Sequence, residues 1–188
     1  PSRTLANPSL FDSKTVSSGN SAFSAIVDSS AAQSGAYSLE VTALAKSHTL
    51  TSTEFNDSDT TTLGTGTLAI TSGTTSANIT IDNSNNTLGG IAAAINDDAS
   101  LAVTASVLYT GTGYKLVLNS DETGLANTID IAVTDTGDAS DTDTNGLSRL
   151  SYTGGATNLL VGQSATDAAF TLNGVAITRS SNTVDDAI

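Results

Sequence analysis

The side chains best suited by type to do chemistry in this chain lie in the acidic run Asp135 to Gly146, DTGDASDTDTNG. Asp141, Asp143 and Asn145, followed by Gly146, match the opening of a calcium loop of the helix-flanked kind, in which alternate oxygen donors wrap a hard cation and a glycine permits the sharp turn. The match then fails. The twelfth position, which should carry a carboxylate binding through both oxygens, is Tyr152, and the flanks pattern as strands and turns. The run is expected to be a solvated loop, with weak incidental calcium binding as the alternative. His48 is the sole histidine, so a Ser-His-Asp arrangement has no other centre, and no nucleophile elbow accompanies it. It is expected to make a partly exposed polar contact where a strand runs out toward a linker. Glu40, Glu54 and Glu122 are the only glutamates, so a glycosidase pair would have to draw largely on Asp, at a separation that sequence spacing does not reveal. GTGTLAITSG and YTGTGYKL carry paired glycines without a helix-opening Gly-x-Gly-x-x-Gly after a strand, and they read as turns. No catalytic, cofactor-binding or metal-ligating residue is assigned, and an enzyme is not expected.

Composition points the same way. Six Lys and Arg against 19 Asp and Glu leave a net charge of −13, which opposes phosphate backbones and anionic lipid, so neither nucleic acid nor membrane is an expected partner. The absence of Cys excludes disulfides, thiolate metal sites and a Cys nucleophile. With 188 residues and 38% hydrophobic content the chain can bury one ordinary core or two small ones. No run reaches the ~20 apolar residues of a membrane span, and PSRTLANPSL lacks the parts of a secretory signal. Both ends read as those of a fragment, since NTVDDAI has only just opened what patterns as a helix.

The elements that must hold these residues are short strands. Residues 1–20 are weakly patterned and read as an approach segment. Alternation then predicts strands at Ala22 to Asp28 and at Tyr37 to Ala43, half-buried and joined by the turn SSAAQSGA. TEFNDSDTTTLGTG reads as a polar crossing. Strands follow at Thr67 to Thr71 and Asn78 to Asp82, and then a helix capped by Asn86 or Thr87. Leu88, Ile91 and Ile95 fall on one face of that helix and are expected to pack on a sheet face built from Leu68, Ile70, Ile79, Ile81, Val107 and Leu116. Gly89 and Gly90 imply a close approach to that sheet. Val103 to Tyr109 and Tyr114 to Leu118 read as a hairpin pairing Tyr109 with Tyr114 and Val107 with Leu116, and Ile129, Ile131 and Val133 as one more strand. Asn173-Gly174 marks a second hairpin, with Leu172 facing Val175 and Phe170 facing Ile177.

IDNSNNT (Ile81 to Thr87) and ITRSSNT (Ile177 to Thr183) precede matched Leu88 and Val184, so a hairpin-then-helix unit occurs twice. Asp185 and Asp186 would then lie in the first turn of the second helix. The fold class expected is α+β, dominated by β: small antiparallel sheets, each with a packed short helix. Three regions are expected: 1–60, an approach segment and strand hairpin; 61–160, a first outer domain; and 161–188, the truncated start of a second unit.

Three stretches carry a family resemblance: GAYSLEVTALAKSHTLTS, TLGGIAAAINDDASLAVTASVLYTGTGYKLVLNSDETG and AAFTLNGVAITRSSNTVDDAI. They resemble the bacterial flagellar filament cap family, also called the flagellar hook-associated cap family, over roughly Leu10 to Ile188. The resemblance implies a non-enzymatic subunit without cofactor. It implies a homo-oligomeric ring at the extracellular filament tip, export through the flagellar type III apparatus, and legs enclosing a space where flagellin folds and inserts. The family's terminal coiled-coil segments are not matched. The variable outer region of a flagellin-like axial protein shares the repeated unit, but Tyr37 to Ser52 resembles the cap family instead. A surface adhesin for host glycans or mucin, using the polar loops, is the reading from another class.

Overall fold

Stretches of alternating Val, Ile, Leu and Thr, separated by Gly- and Asn-bearing turns, pair as antiparallel ladders. A computed structural model of the chain describes residues 15–27, 34–138 and 140–187. It divides into two units, Leu39–Thr183 and, separately, Pro1–Ser38 with Val184–Ile188. In the second of these, the described residues 15–27, 34–38 and 184–187 form no strand or helix, and Asn20 Oδ1 accepts from the Ala22 N–H in a local turn.

The larger unit holds three sheets. In the first, β3 (Gly66–Ser72) lies between β4 (Thr75–Ile81) and β7 (Ile129–Asp135). Leu68 is flanked by Ile79 and Val133, and Ile70 by Ala77 and Ile131, so one apolar row crosses three strands. The second sheet runs in the order β5 (Val103–Tyr109), β6 (Tyr114–Thr123), β2 (Ser47–Thr51), β8 (Leu160–Gln163). Its hairpin has the expected register, Val107 opposite Leu116 and Tyr109 opposite Tyr114. The third sheet, β1 (Leu39–Ala43), β9 (Ala168–Leu172) and β10 (Val175–Arg179), contains the Asn173-Gly174 hairpin. Both turn residues have positive φ, 51° and 80°, the left-handed pair that a tight two-residue turn requires. Leu172 faces Val175 and Phe170 faces Ile177, as expected.

The single helix among the described residues, α1 (Leu88–Asn96), is capped by Thr87, whose Oγ1 accepts from the Gly90 N–H at 3.2 Å. Leu88, Ile91 and Ile95 are all buried. They do not lie on one sheet. The helix packs chiefly on β5 and more lightly on β4 and β6, so it closes the gap between the edges of two sheets that share one core. Leu68, Ile70, Ile79 and Ile81 enter that core from one sheet and Leu116 from the other, with the half-buried Val107 at its margin. Gly89 and Gly90 approach loops, not strands: an added Cβ would meet Asp59 Oδ1 at 2.9 Å and the Asn85 carbonyl oxygen at 2.5 Å. On the opposite side a 3-10 segment, Gly146–Leu150, packs on β7 and inserts Leu147 and Leu150.

Several expectations are corrected. Residues 22–27 carry no strand, and Asp28 lies outside the described residues. The strand near Tyr37 begins at Leu39, is exposed on both faces, and pairs with β9, far along the chain. The segment read as a polar crossing contributes Phe55 and Leu63 to the core. No helix forms over residues 182–187, and Ile188 lies outside the described residues.

A core truncation tests the shared-core arrangement. Ile95→Ala is expected to cost about 2 to 5 kcal/mol in urea unfolding, because the vacated volume is bounded by two sheets that cannot both collapse into it. A loss below about 0.5 kcal/mol, the size of a surface substitution, would show the helix face to be dispensable.

Candidate functional site

The acidic run is not a free loop. Asp135, the last residue of β7, is buried, and its Oδ2 accepts from the backbone N–H groups of Leu147 at 2.7 Å and Ser148 at 3.3 Å. Its Oδ1 accepts from Gly137 N–H at 2.7 Å, while Asp141 Oδ1 accepts from the Asp135 N–H at 2.8 Å. Asp143 binds Asn145 through backbone and side chain. Asp135 thus ties the run to the 3-10 segment behind it, while Asp141 and Asp143, which a calcium loop would aim at a cation, accept from Asp135 and Asn145. Among the described residues no group of three or more His, Cys, Asp or Glu gathers to hold a metal ion. Tyr152, at the position where a bidentate carboxylate would be needed, bridges β7 at Ile131.

His48 is a buried core residue, 3% exposed, and not the partly exposed strand end expected of it. Strand β2 runs through the middle of its sheet, and the alternation that buries Leu50 buries His48 two residues earlier. Its Nδ1 accepts from the Ile129 N–H at 3.0 Å, joining β2 to β7 across the two sheets, and its ring lies 5.6 Å from that of Tyr152. An imidazole that accepts at Nδ1 is neutral, with its proton on Nε2. Burial holds its pKa below the ordinary 6.5. No serine–histidine–aspartate relay is built on it, since its bonded partner is a backbone amide.

The three glutamates are not brought together as a pair. Glu54 braces the β5–β6 hairpin tip, accepting from Thr112 Oγ1 at 2.8 Å and Thr110 Oγ1 at 3.0 Å, and those hydroxyls, Thr112 first, hold its carboxyl below the usual range. Glu40 lies on exposed β1, and the Glu122 carbonyl accepts from Ser120 Oγ near the end of β6.

What the surface does offer is contact area. In the third sheet Leu39, Leu172 and Val175 form one cross-strand row and Val41, Phe170 and Ile177 the next, on the same face. Phe170 is buried, but Val41 is 49% and Val175 64% exposed, and none of the six belongs to the main core. The alternation of β1 alone reads as a half-buried face. Nothing local distinguishes a face covered within the unit from one left open, so this surface was missed.

The first residues of the chain match a family model. Residues 2–48 fit the model described as flagellar hook-associated protein 2 N-terminus. The chain is 36% identical over 187 residues to flagellar hook-associated protein 2 of Escherichia coli (strain K12), covering 97% of this chain and 38% of that protein. Its fold is similar to a crystal structure of the D1-D2-D3 domains of the flagellar cap protein FliD from Escherichia coli, with a TM-score of 0.84 and 33% identity over 99% of this chain and 52% of that one. A second structure, the D2-D3 domains of the same cap protein, is similar with a TM-score of 0.70 and 34% identity, covering 81% of this chain and 76% of that one. The chain thus spans well under half the length of the Escherichia coli relative.

Two side chains give tests. Because the folded pKa of His48 lies below its unfolded value, its contribution is fully present above pH ~6.5 and is lost as the pH falls below that value through the folded pKa. The stability advantage of the wild type over His48→Gln, which can still accept from Ile129 but does not titrate, should shrink between pH 7.5 and 5 in thermal melts. An advantage that is constant with pH would refute the neutral-acceptor role. Asp135→Ala should cost roughly 2 to 4 kcal/mol, since it strands two buried N–H groups, whereas millimolar calcium should leave the wild-type melting temperature unchanged. A calcium-induced rise of several degrees, abolished by Asp141→Ala and Asp143→Ala, would establish a specific site.

Proposed function

We propose that this chain, which belongs to the flagellar hook-associated protein 2 family, builds the outer part of a filament cap subunit. Its role is structural and not catalytic. In this reading copies of the parent protein form a ring at the extracellular tip of the flagellum, reached through the flagellar type III export apparatus. The ring holds a space in which flagellin folds and inserts. The outer head domain is built on residues 61–160 together with β2 and β8, which complete its four-stranded sheet, and the remaining flanking segments return the chain toward the leg.

The observation that carries the reading is the agreement in fold with a cap protein across nearly the whole chain. The architecture supplies a physical reason. Head and third sheet are joined by two chain passages stitched with backbone bonds: Lys46 N–H to the Thr166 carbonyl at 2.9 Å, and Gly124 N–H to the Lys46 carbonyl at 3.1 Å. Asn182 adds a two-point clip, its Oδ1 accepting from Ala45 N–H at 2.8 Å and its Nδ2 donating to the Ala45 carbonyl at 2.9 Å. A clipped junction keeps a head at one angle to its support, which a plate above a growing filament requires. The open apolar face of the third sheet is surface that protein must cover in the assembled cap. The carboxylates of the acidic run are bonded internally, so the calcium-dependent adhesin reading loses its ligands.

The test replaces the matching segment of flagellar hook-associated protein 2 in Escherichia coli with this chain. Expressed in a strain lacking the native protein, the chimera should restore filament growth and swimming, and the 188-residue chain alone should not. An exported, folded chimera that leaves the strain shedding unpolymerised flagellin would overturn the cap reading.

A further inference from the structure

The segment that carries the chain from β6 to β7, Gly124 to Thr128 with a 3-10 turn at Leu125–Asn127, also ties the head to the third sheet. Gly124 N–H donates to the Lys46 carbonyl, and Lys46 exchanges two backbone bonds with Thr166, at 2.9 and 3.2 Å, just ahead of β9. Leu125 N–H donates to Asp167 Oδ1 at 2.7 Å, beside the start of β9. Thr123 Oγ1 donates at 2.7 Å to the carbonyl of Ser180, which follows β10. A Cβ added at Gly124 would stand 2.5 Å from that of Ser180, so the two backbones pass as closely as glycine allows. The segment is a strut between head and third sheet.

Two side chains of the head hold the other end of that strut. Ser72 Oγ donates to the Asn127 carbonyl at 3.1 Å, and His48 Nδ1 accepts from the Ile129 N–H at 3.0 Å. The neutral ring already carries its proton on Nε2, so Nδ1 is the only atom that can take another. A proton there sets N–H against N–H. The ring must then leave, and the Ile129 amide, in a buried residue, loses its acceptor at a cost greater than the bond itself contributed. Nothing charged offsets this among the described residues. Tyr152 is the titratable side chain in ring contact with His48, while Asp130 of β7, Asp121 and Glu122 of β6, and Lys46 are exposed. Asp121 is bonded to Thr104 and Asp167 to Leu125, β8 and the strut carry no ionisable side chain, and burial is the one cause that lowers the pKa of the ring.

We propose that His48 is an acid-sensitive catch on the joint between head and third sheet. Neutral, it pins the first residue of β7 and with it the strut from Gly124 to Thr128. Protonated, it lets the strut go, and the third sheet moves against a head that stays folded. The two parts respond differently for a physical reason. The head is closed by a core of Leu68, Ile70, Leu116, Leu118 and their neighbours, which does not titrate, whereas the third sheet has no share in that core and keeps its angle through directional bonds at the joint. His48 lies two residues beyond Lys46, so the same imidazole stands beside both chain passages that make those bonds. The inference goes beyond the cap reading and does not rest on it.

Because the chain has no cysteine, Ser106→Cys on β5 and Ala176→Cys on β10, both exposed, give a unique spin-label pair across the joint. The distance distribution is expected to be narrow at pH 7.5, broad at pH 4.5 and narrow again on return, and to stay narrow throughout in His48→Gln, which accepts from Ile129 without titrating. Amide exchange, corrected for its intrinsic pH dependence, supplies the second readout. Opening at Gly124 and Ile129 should rise as the pH falls below the ordinary 6.5, by up to about tenfold per pH unit for one proton, until the folded pKa is reached. The amides of Leu68 and Ile70 in β3 should keep their protection. An NMR titration of the sole histidine gives the midpoint that the broadening must share, and it decides the matter without a variant if His48→Gln does not fold. The catch is overturned by a ring that stays neutral down to pH 4.5, by a distribution that ignores its titration, or by broadening that persists in His48→Gln. Protection lost at Leu68 and Ile70 together with Ile129 would also overturn it, since the whole head would then be unfolding. Failure of the chimeric cap protein to restore filaments would strike the cap function and leave the catch standing.

Discussion

Two small sheets that bury their apolar faces against one another leave an open side, and closing that side is the constraint on which the larger unit depends. Each of the two sheets carries an apolar face that only a second layer can bury, and the two share one core. Helix α1 solves this by lying along the edges β4 and β5 with Leu88, Ile91 and Ile95 turned inward, while Leu147 and Leu150 close the opposite side. Asn96 then fastens the end of the helix to the sheet, its Oδ1 accepting from the Ala105 N–H and its Nδ2 donating to the Ala105 carbonyl, both at 2.8 Å. That pair substitutes for the strand that edge β5 lacks, so the helix also protects an edge that would otherwise seek a partner.

Once the sheets face each other, polar groups trapped between them need partners. His48 answers the amide of Ile129, the hydroxyls of Ser72 and Ser120 meet at 3.0 Å, and Asp135 collects the amides of the turn that follows β7. Among the described residues no buried side-chain nitrogen or oxygen is left without a partner. Residues whose types suggested chemistry are thus consumed in holding loops and sheets in place. A protein that works by presenting rigid surfaces gains from this arrangement, since loops pinned by charged acceptors resist deformation better than solvated ones.

The third sheet differs in kind. Its strands bury Phe170 and Ala168 but have no share in the main core, and its apolar rows stay largely open. Its attachment to the head is made of backbone bonds and the Asn182 clip, directional contacts that hold an angle without requiring a large apolar interface. Under the cap reading proposed above, this division suits a firm head on a support whose open apolar surface further protein would cover.

Much of the local structure was legible in the sequence because it depends on neighbours a few residues apart. The hairpin at Tyr109 and Tyr114, the Asn173-Gly174 turn and the Leu88–Ile91–Ile95 stripe follow from periods of 2.0 and 3.6 and from which residues accept positive φ. The family, too, was readable, because its motifs lie in continuous stretches. What only the tertiary structure decided is where each face goes. Alternation told that His48 and Leu50 share a side of β2, but not that a second sheet would cover it and turn a histidine into a buried acceptor. The same alternation in β1 leads to an open face, because no second sheet lies over it within the unit. The acidic run reads as a loop until Asp135 finds its amides at Leu147 and Ser148, and residues 184–187, matched in sequence to a helix start, form no helix. Burial is a property of pairs of distant segments, and a single strand or helix carries only half of it.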